Sequence, residues 1–244
     1  MKPFWAALRF LTILPLPEVE SDGRDLSRSA MYFPLVGLLL GLAVAAFDHF
    51  IVARIFPPLP ASGIIVVALV AVSGGLHMDG LADAADGLLS SRPRERALEI
   101  MRDSRTGAMG VVAVVCVIGL KFASLASVPP SARWTLVLMM PLAGRCALTI
   151  LMALQPYARA EGLATVFRTE RPAVAVMWAV FLLLTIGWIS GGQTGFIASL
   201  VALSGTLLFA RYTTFRLGGH TGDTLGAGCE IVEMLVALSA AATL

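Results

Sequence analysis

Apolar residues run through this chain in long blocks, not on one face of short amphipathic elements. Blocks able to cross a bilayer, at about 20 residues each, fall at 31–51, 107–128, 133–154, 173–190, 195–215 and 225–244. A seventh block, 61–76, is short. Its apolar pattern runs on through Leu81, Leu88 and Leu89, which predicts a helix continuing past the membrane surface. No repeat of 20–50 residues interrupts this order. The pattern therefore predicts an all-α polytopic membrane bundle of about seven transmembrane helices, one integral domain over 1–244. Gly37 and Gly41 stand at the interval of close helix packing, and packing is their expected role.

Composition sharpens the class. The chain is 57% hydrophobic and 14% charged, with a mean hydropathy of +0.84. A soluble domain carries about a quarter charged residues, so too few remain here for a polar shell. Disorder, a disulfide scaffold and an amphipathic solenoid are excluded. The net charge of +2 points to no nucleic-acid partner. Cys116, Cys146 and Cys229 lack paired spacing and are expected as small buried hydrophobes. At the start, Arg9 interrupts the apolar run and Pro15 and Pro17 end it without a small-residue cleavage site. That segment reads as interfacial or re-entrant.

The basic residues orient the bundle. With seven alternating spans, fourteen of the eighteen Lys and Arg fall on one side and only Arg54 and Arg133 on the other. Lys121 and Arg145 lie within spans. The positive-inside rule then predicts a cytoplasmic N-terminus and an external C-terminus at Leu244. The connections 77–106, 155–172 and 216–224 all open on the cytoplasmic face as one set of active-site loops.

Three clusters there carry chemistry. Asp79, Asp83 and Asp86 stand at i, i+4 and i+7, on one face of a helix. Carboxylates crowded in this way repel unless a cation is present. Hard oxygen ligands suit Mg²⁺, which binds a few carboxylates together with substrate phosphates. The second cluster is Arg102-Asp103-Ser104-Arg105-Thr106-Gly107, expected at the end of a short helix, where two guanidinium groups face an anion. The third is Gly218-Gly219-His220-Thr221-Gly222-Asp223, a glycine-rich turn whose N–H groups suit an anion. It leads into Glu230 and Glu233, about 7–12 Å deep in the last span. Intramembrane acids point by default to a functional interior. Arg145 lies at a similar depth and is a partner for one of them, while Lys121 is expected to snorkel to the far side. His77 and His220 adjoin acidic clusters without zinc spacing.

These residues resemble a known family. Gly75-Leu76-His77-Met78-Asp79-Gly80-Leu81-Ala82-Asp83, Ile100-Met101-Arg102-Asp103-Ser104-Arg105-Thr106-Gly107 and Thr221-Gly222-Asp223-Thr224-Leu225-Gly226-Ala227 are similar to cobalamin synthases, the adenosylcobinamide-GDP ribazoletransferases. Phe33-Pro34-Leu35-Val36-Gly37 and Tyr157-Ala158-Arg159-Ala160-Glu161-Gly162 extend the likeness, which covers nearly the whole chain. The resemblance implies a prokaryotic inner-membrane enzyme acting late in B12 assembly. It would transfer a cobinamide phosphoryl group from a GDP-linked corrinoid to α-ribazole or its 5′-phosphate, releasing GMP, with Mg²⁺ as cofactor. Asp79, Asp83 and Asp86 would hold the metal, and Asp86 or Asp223 would take the hydroxyl proton. Arg102, Arg105, Gly219, Thr221, Gly222, Glu230, Glu233, Arg145 and His77 would bind substrate. The expected partners are the two substrates, the lipid bilayer and a second copy in a homo-oligomer. Residues 79–86 alone are also similar to CDP-alcohol phosphotransferases, which keeps a lipid-making enzyme as an alternative. The intramembrane charges keep a secondary transporter as another.

Overall fold

The computed structural model describes residues 2–16, 23–159 and 171–242. Its helices are α1 (Lys2–Leu11), α2 (Gly23–Ser29), α3 (Phe33–Phe47), α4 (Ala53–Ile55), α5 (Pro58–Val72), α6 (Leu76–Leu88), α7 (Arg94–Ile100), α8 (Ala108–Ser127), α9 (Pro130–Leu154), α10 (Pro172–Leu217) and α11 (Gly222–Ala242). A π turn at Asp48–Val52 joins α3 to α4 as one continuous rod. Among the described residues there is no strand, only an isolated bridge between Tyr157 and His220. Proline opens α5, α9 and α10, where its missing N–H has no helical partner to lose.

The central post is α9, buried along nearly its whole length, with α3, α10 and α11 packed around it. Gly37 and Gly41 do serve packing. A β-carbon on Gly37 would lie 2.7 Å from the Pro141 carbonyl oxygen, and one on Gly41 would strike the Leu138 carbonyl. Short α1 lays Ala7 and Leu11 against Phe33, Val36 and Leu40 of α3.

Among the described residues, five helices are long and apolar enough to cross a membrane, or six if the bent pair α5–α6 counts as one span. One of the five is α10, whose 46 residues would reach about 69 Å if straight. It folds back at Gly192 instead, with φ 55° and ψ −131°, a conformation closed to residues with a β-carbon. The arms then pack on each other. Ser199 Oγ donates to the Leu183 carbonyl at 3.1 Å, and Gly187 meets Gly195 backbone to backbone. The apolar blocks 173–190 and 195–215 are these two arms.

A correction concerns the short block. The helix does not continue but ends at Val72. It breaks at Gly74 and Gly75, both left-handed, and α6 leaves α5 at 87°. Thus α6 lies across one end of the bundle, packed on α8 and α11. Two glycines in a row, free to take φ > 0, turn the chain where hydropathy shows no change.

The opposite end is tied by Arg133. Its guanidinium donates to both oxygens of Asp48, at 2.7 and 3.1 Å, and to Ser62 and the Leu125 carbonyl, both at 2.9 Å. This joins α9, the π turn, α5 and α8. Cysteine needs one correction: Cys146 and Cys229 are buried, but Cys116 faces outward from α8. The expectations for Pro17, Arg168 and Leu244, and for Ala160-Glu161-Gly162 in the 155–172 connection, lie outside the described residues.

Candidate active site at one end of the bundle

Two helices distant in sequence make this site. At their crossing, a β-carbon on Gly80 of α6 would stand 3.0 Å from the Asp223 carbonyl oxygen. One on Gly226 of α11 would stand 3.0 Å from the His77 carbonyl oxygen. Only glycine on both helices permits this backbone approach. The crossing sets the face carrying Asp79 and Asp83 beside the start of α11. The Asp83 carboxyl reports the result: partial burial first, then the carboxylates of Asp79, Asp223 and Asp86, push it up to about 6.

Thr221 caps α11. Its Oγ1 accepts from the Thr224 N–H at 3.2 Å, while its own N–H donates to Thr224 Oγ1 at 2.8 Å. This reciprocal cap commits the Thr221 side chain to the helix. The helix still leaves the N–H groups of Gly222 and Asp223 without carbonyl partners one turn back. A β-carbon on Gly222 would meet open space, so those groups are approachable. Gly219 plays another part: a β-carbon there would collide with the Pro156 carbonyl, so glycine lets residues 156–158 and 218–220 pair.

The carboxylates divide by partner. Among the described residues, those of Asp79 and Asp83 make no hydrogen bond or ion pair, and Asp79 is exposed. Asp86 turns to α8 instead. Its Oδ2 accepts from the Gly107 N–H at 2.6 Å and its Oδ1 from the Gly110 N–H at 2.8 Å. An anion at a helix N-terminus is well placed, and this anchors α8 to α6. Asp223 Oδ2 accepts from Nη2 of Arg159 at 2.6 Å. Among the described residues, no three acidic, imidazole or thiol groups are arranged to hold a metal unaided. Mg²⁺ seldom takes an all-protein cage and commonly uses one or two carboxylates plus phosphates. Asp79 and Asp83 fit that mode.

The arginines also divide. The helix of the second cluster ends at Ile100, so residues 101–107 form a turn. There Arg105 grips Asp103 through Nε at 3.0 Å and Nη2 at 2.7 Å, and these hydrogen bonds hold the Asp103 carboxyl down at about 2. Arg102 stays exposed and lines a cleft of about 310 Å³ with Arg94, Leu98, Ala158 and Arg159. Arg94 stitches this cleft together, donating through Nε to the Leu217 carbonyl at 2.6 Å and through Nη2 to that of Ala158 at 3.0 Å. From the sequence, Arg94 stands out only as a basic residue of the inner face, and Arg159 only as that and as part of the Tyr157–Gly162 likeness. Their signal is weak: Arg94 opens a short helix and Arg159 lies five residues past the end of α9. His220 is buried against Tyr157, and burial lowers its pKa, so the imidazole is neutral.

Four expected substrate ligands are elsewhere. His77, Arg145, Glu230 and Glu233 lie buried between α6, α8, α9 and α11, with Lys121 among them. Lys121 Nζ donates to Glu230 at 2.5 Å and to Glu233 at 2.7 Å. Arg145 pairs with the other oxygen of Glu233, and its Nη2 lies 3.4 Å from His77 Nδ1. Lys121 therefore does not snorkel outward. Two cations and two carboxylates neutralise one another in the interior.

Fold and site define a helical membrane protein with an acidic, arginine-flanked face at one end. The comparisons then narrow the class. The family model for cobalamin-5-phosphate synthase matches residues 3–241, and the chain belongs to that family. It is 37% identical over 237 residues to the adenosylcobinamide-GDP ribazoletransferase of Geotalea daltonii, covering 96% of this chain and 95% of that one. It is 40% identical to the Pseudomonas fluorescens protein of the same name, over 99% of both chains. A third, from Roseiflexus sp., is 40% identical over 96% of this chain and 87% of its own. No solved structure matches the chain. The protein is a transferase of cobalamin assembly.

Proposed function

We propose that the protein joins adenosylcobinamide-GDP to α-ribazole or α-ribazole 5′-phosphate and releases GMP. The reaction takes place at the cytoplasmic face of a prokaryotic inner membrane, with Mg²⁺. The names of the relatives support the substrates. The observation that carries the site is the crossing at Gly80 and Gly226, which joins acidic face and anion-binding helix start. Counting both arms of α10 and taking α5 alone gives seven crossings. That count supports the topology expected from the basic residues, with α6 lying across the inner end.

In this reading an acceptor hydroxyl attacks the phosphorus bearing cobinamide, and the P–O bond to GMP breaks. Little covalent chemistry falls to the protein, so positioning and charge neutralisation dominate. Asp79 and Asp83 would hold Mg²⁺, which, when bound, neutralises diphosphate charge and the developing charge on the leaving oxygen. Arg102 and Arg159 flank the phosphates, and the start of α11 offers its N–H groups to the same anion. Both oxygens of Asp86 already accept backbone N–H groups of α8, which turns that carboxylate away from the acceptor hydroxyl. Asp223 is then the better acceptor of the hydroxyl proton, released once Arg159 swings to phosphate. Turnover in liposomes, with and without Mg²⁺, using adenosylcobinamide-GDP against CDP-diacylglycerol, tests this assignment. Turnover of the first alone, lost with chelator, is expected. Turnover of the second would identify the lipid-making alternative.

A further inference from the structure

The helix that carries the acidic face hangs from a loose joint. Between α5 and α6 the chain turns through 87° at Gly74 and Gly75, both at positive φ, where glycine gives the backbone its widest freedom. Such a joint leaves the rotation of α6 about its own axis to side-chain and backbone contacts. Two of these lie further along the helix: the crossing of Gly80 with α11, and Asp86 on the start of α8. A third lies at its beginning. His77, in the first turn, is only 3% exposed, and its Nδ1 stands 3.4 Å from Nη2 of Arg145 on α9. A guanidinium only donates, so Nδ1 faces it as the acceptor.

Arg145 is a fixed partner. It pairs with Glu233, whose other oxygen accepts from Lys121 at 2.7 Å. A β-carbon on its neighbour Gly144 would stand 2.8 Å from Oε1 of Glu233, and one on Gly37 of α3 would stand 2.9 Å from Cβ of Arg145. The guanidinium is therefore held from two sides on the central post.

We propose that His77 is a positioning residue: through Arg145 it sets the rotation of α6 that points Asp79 and Asp83 out of the bundle. This role rests on the reading that those two carboxylates hold Mg²⁺. At about 100° per residue, Asp79 stands about 160° around the helix from His77. Drawing His77 inward turns Asp79 outward. Leu76 aside, Asp79, Asp83 and Asp86 are the residues of α6 that are not buried. Contacts behind metal ligands hold them to their geometry, and losing one costs about 10–100-fold in metal affinity or activity. Arg145 keeps Glu233 when the imidazole is removed, so the buried charges stay balanced and the bundle stays intact.

The test compares His77→Leu with His77→Asn in the full chain. The asparagine amide oxygen, bonded to Cγ as Nδ1 is, can accept from Arg145, and leucine cannot. In liposomes, His77→Leu should raise the Mg²⁺ concentration for half-maximal turnover about tenfold or more, and His77→Asn should keep it within about threefold of the wild type. In detergent, without metal or substrate, hydrogen exchange of the amides of 76–88 should quicken in the leucine variant and not in the asparagine variant. Melting temperatures of both should stay near that of the wild type. Should His77→Leu fail to fold, His77→Gln takes its place, since its amide falls nearer the position of Nε2, out of line with Arg145. The same rise in Mg²⁺ demand is then expected. Unchanged Mg²⁺ demand in the leucine or glutamine variant, with or without a lower melting temperature, would overturn the role of His77. So would equal impairment in the asparagine variant. A wild type indifferent to Mg²⁺, or an Asp79→Asn variant with undiminished turnover, would instead overturn the metal reading of the acidic face. The hydrogen-exchange contrast would then still decide whether His77 fixes α6.

Discussion

The same two helices, α6 and α11, hold charges in two opposite ways. Inside the bundle, His77 of α6 and Glu230 and Glu233 of α11 join Lys121 and Arg145 in a closed, neutral network, nearly inaccessible to solvent. At the open end, Asp79 and Asp83 of α6 have no partner among the described residues, and Asp223 of α11 has one countercharge, Arg159. The interior balances its charges because a lone ion there would cost several kcal/mol to desolvate. The open end tolerates imbalance because water and ligands reach it. Buried acids in a membrane protein thus mark function only where their countercharges are missing. Here the buried set ties helices together, and the exposed set is left open to solvent.

The largest effect should come from opening the closed network. Lys121→Met leaves two carboxylates with one guanidinium and should destabilise the protein by about 3–5 kcal/mol. Melting in detergent measures this, and Lys121→Met with Glu230→Gln should recover part of the loss through charge balance. Recovery of nothing would mean that the network is not a unit.

Asp79→Asn should behave in the opposite way. With no partner to lose and repulsion relieved, stability should hold or rise slightly. Transfer should fall about 100-fold or more, because an amide is a poor ligand for Mg²⁺. Steady-state turnover beside a melting curve separates the two effects.

Gly226→Ala should be milder. Its β-carbon meets the His77 carbonyl oxygen at 3.0 Å, so the helices must separate by a few tenths of an ångström. A stability loss of about 1 kcal/mol is expected, with a disproportionate fall in kcat because the two halves of the site part. A stability loss with unchanged kcat would sever the crossing from the chemistry.

The smallest effect concerns pH. Burial lowers the pKa of His220, so the folded state resists a proton that the unfolded chain takes up near its ordinary value of about 6.5. Stability should therefore be whole above that pH and decline as pH falls through it. His220→Gln should flatten that part of the profile, as read from melting temperatures between pH 7.5 and 5.5.

The long helices were legible in the sequence because a bilayer demands about 20 apolar residues, and nothing else imposes that length. The turn in α10 showed as well, since Gly191-Gly192-Gln193-Thr194 parts two apolar blocks. The break at Gly74-Gly75 did not, because its neighbours stay apolar and only backbone geometry changes. Of the site, the acidic motif and the Thr-Gly-Asp turn were visible as unusual local chemistry. The partner of Lys121 was not, because hydropathy sets it deep in a span without showing which helix brings Glu230 and Glu233 to it. Asp86 misled most, since spacing places it with Asp79 and Asp83 while the α8 N-terminus claims both its oxygens.

The central claim is that α6 and the start of α11 bind one donor diphosphate between them. A structure of the full protein with adenosylcobinamide-GDP and Mg²⁺ tests it most directly. The account predicts the diphosphate within direct or metal-bridged contact of Asp79 and Asp83 on one side, and of the Gly222–Asp223 turn and Arg159 on the other. A diphosphate contacting only one of these halves, or seated against Glu230 and Glu233 inside the bundle, would contradict it.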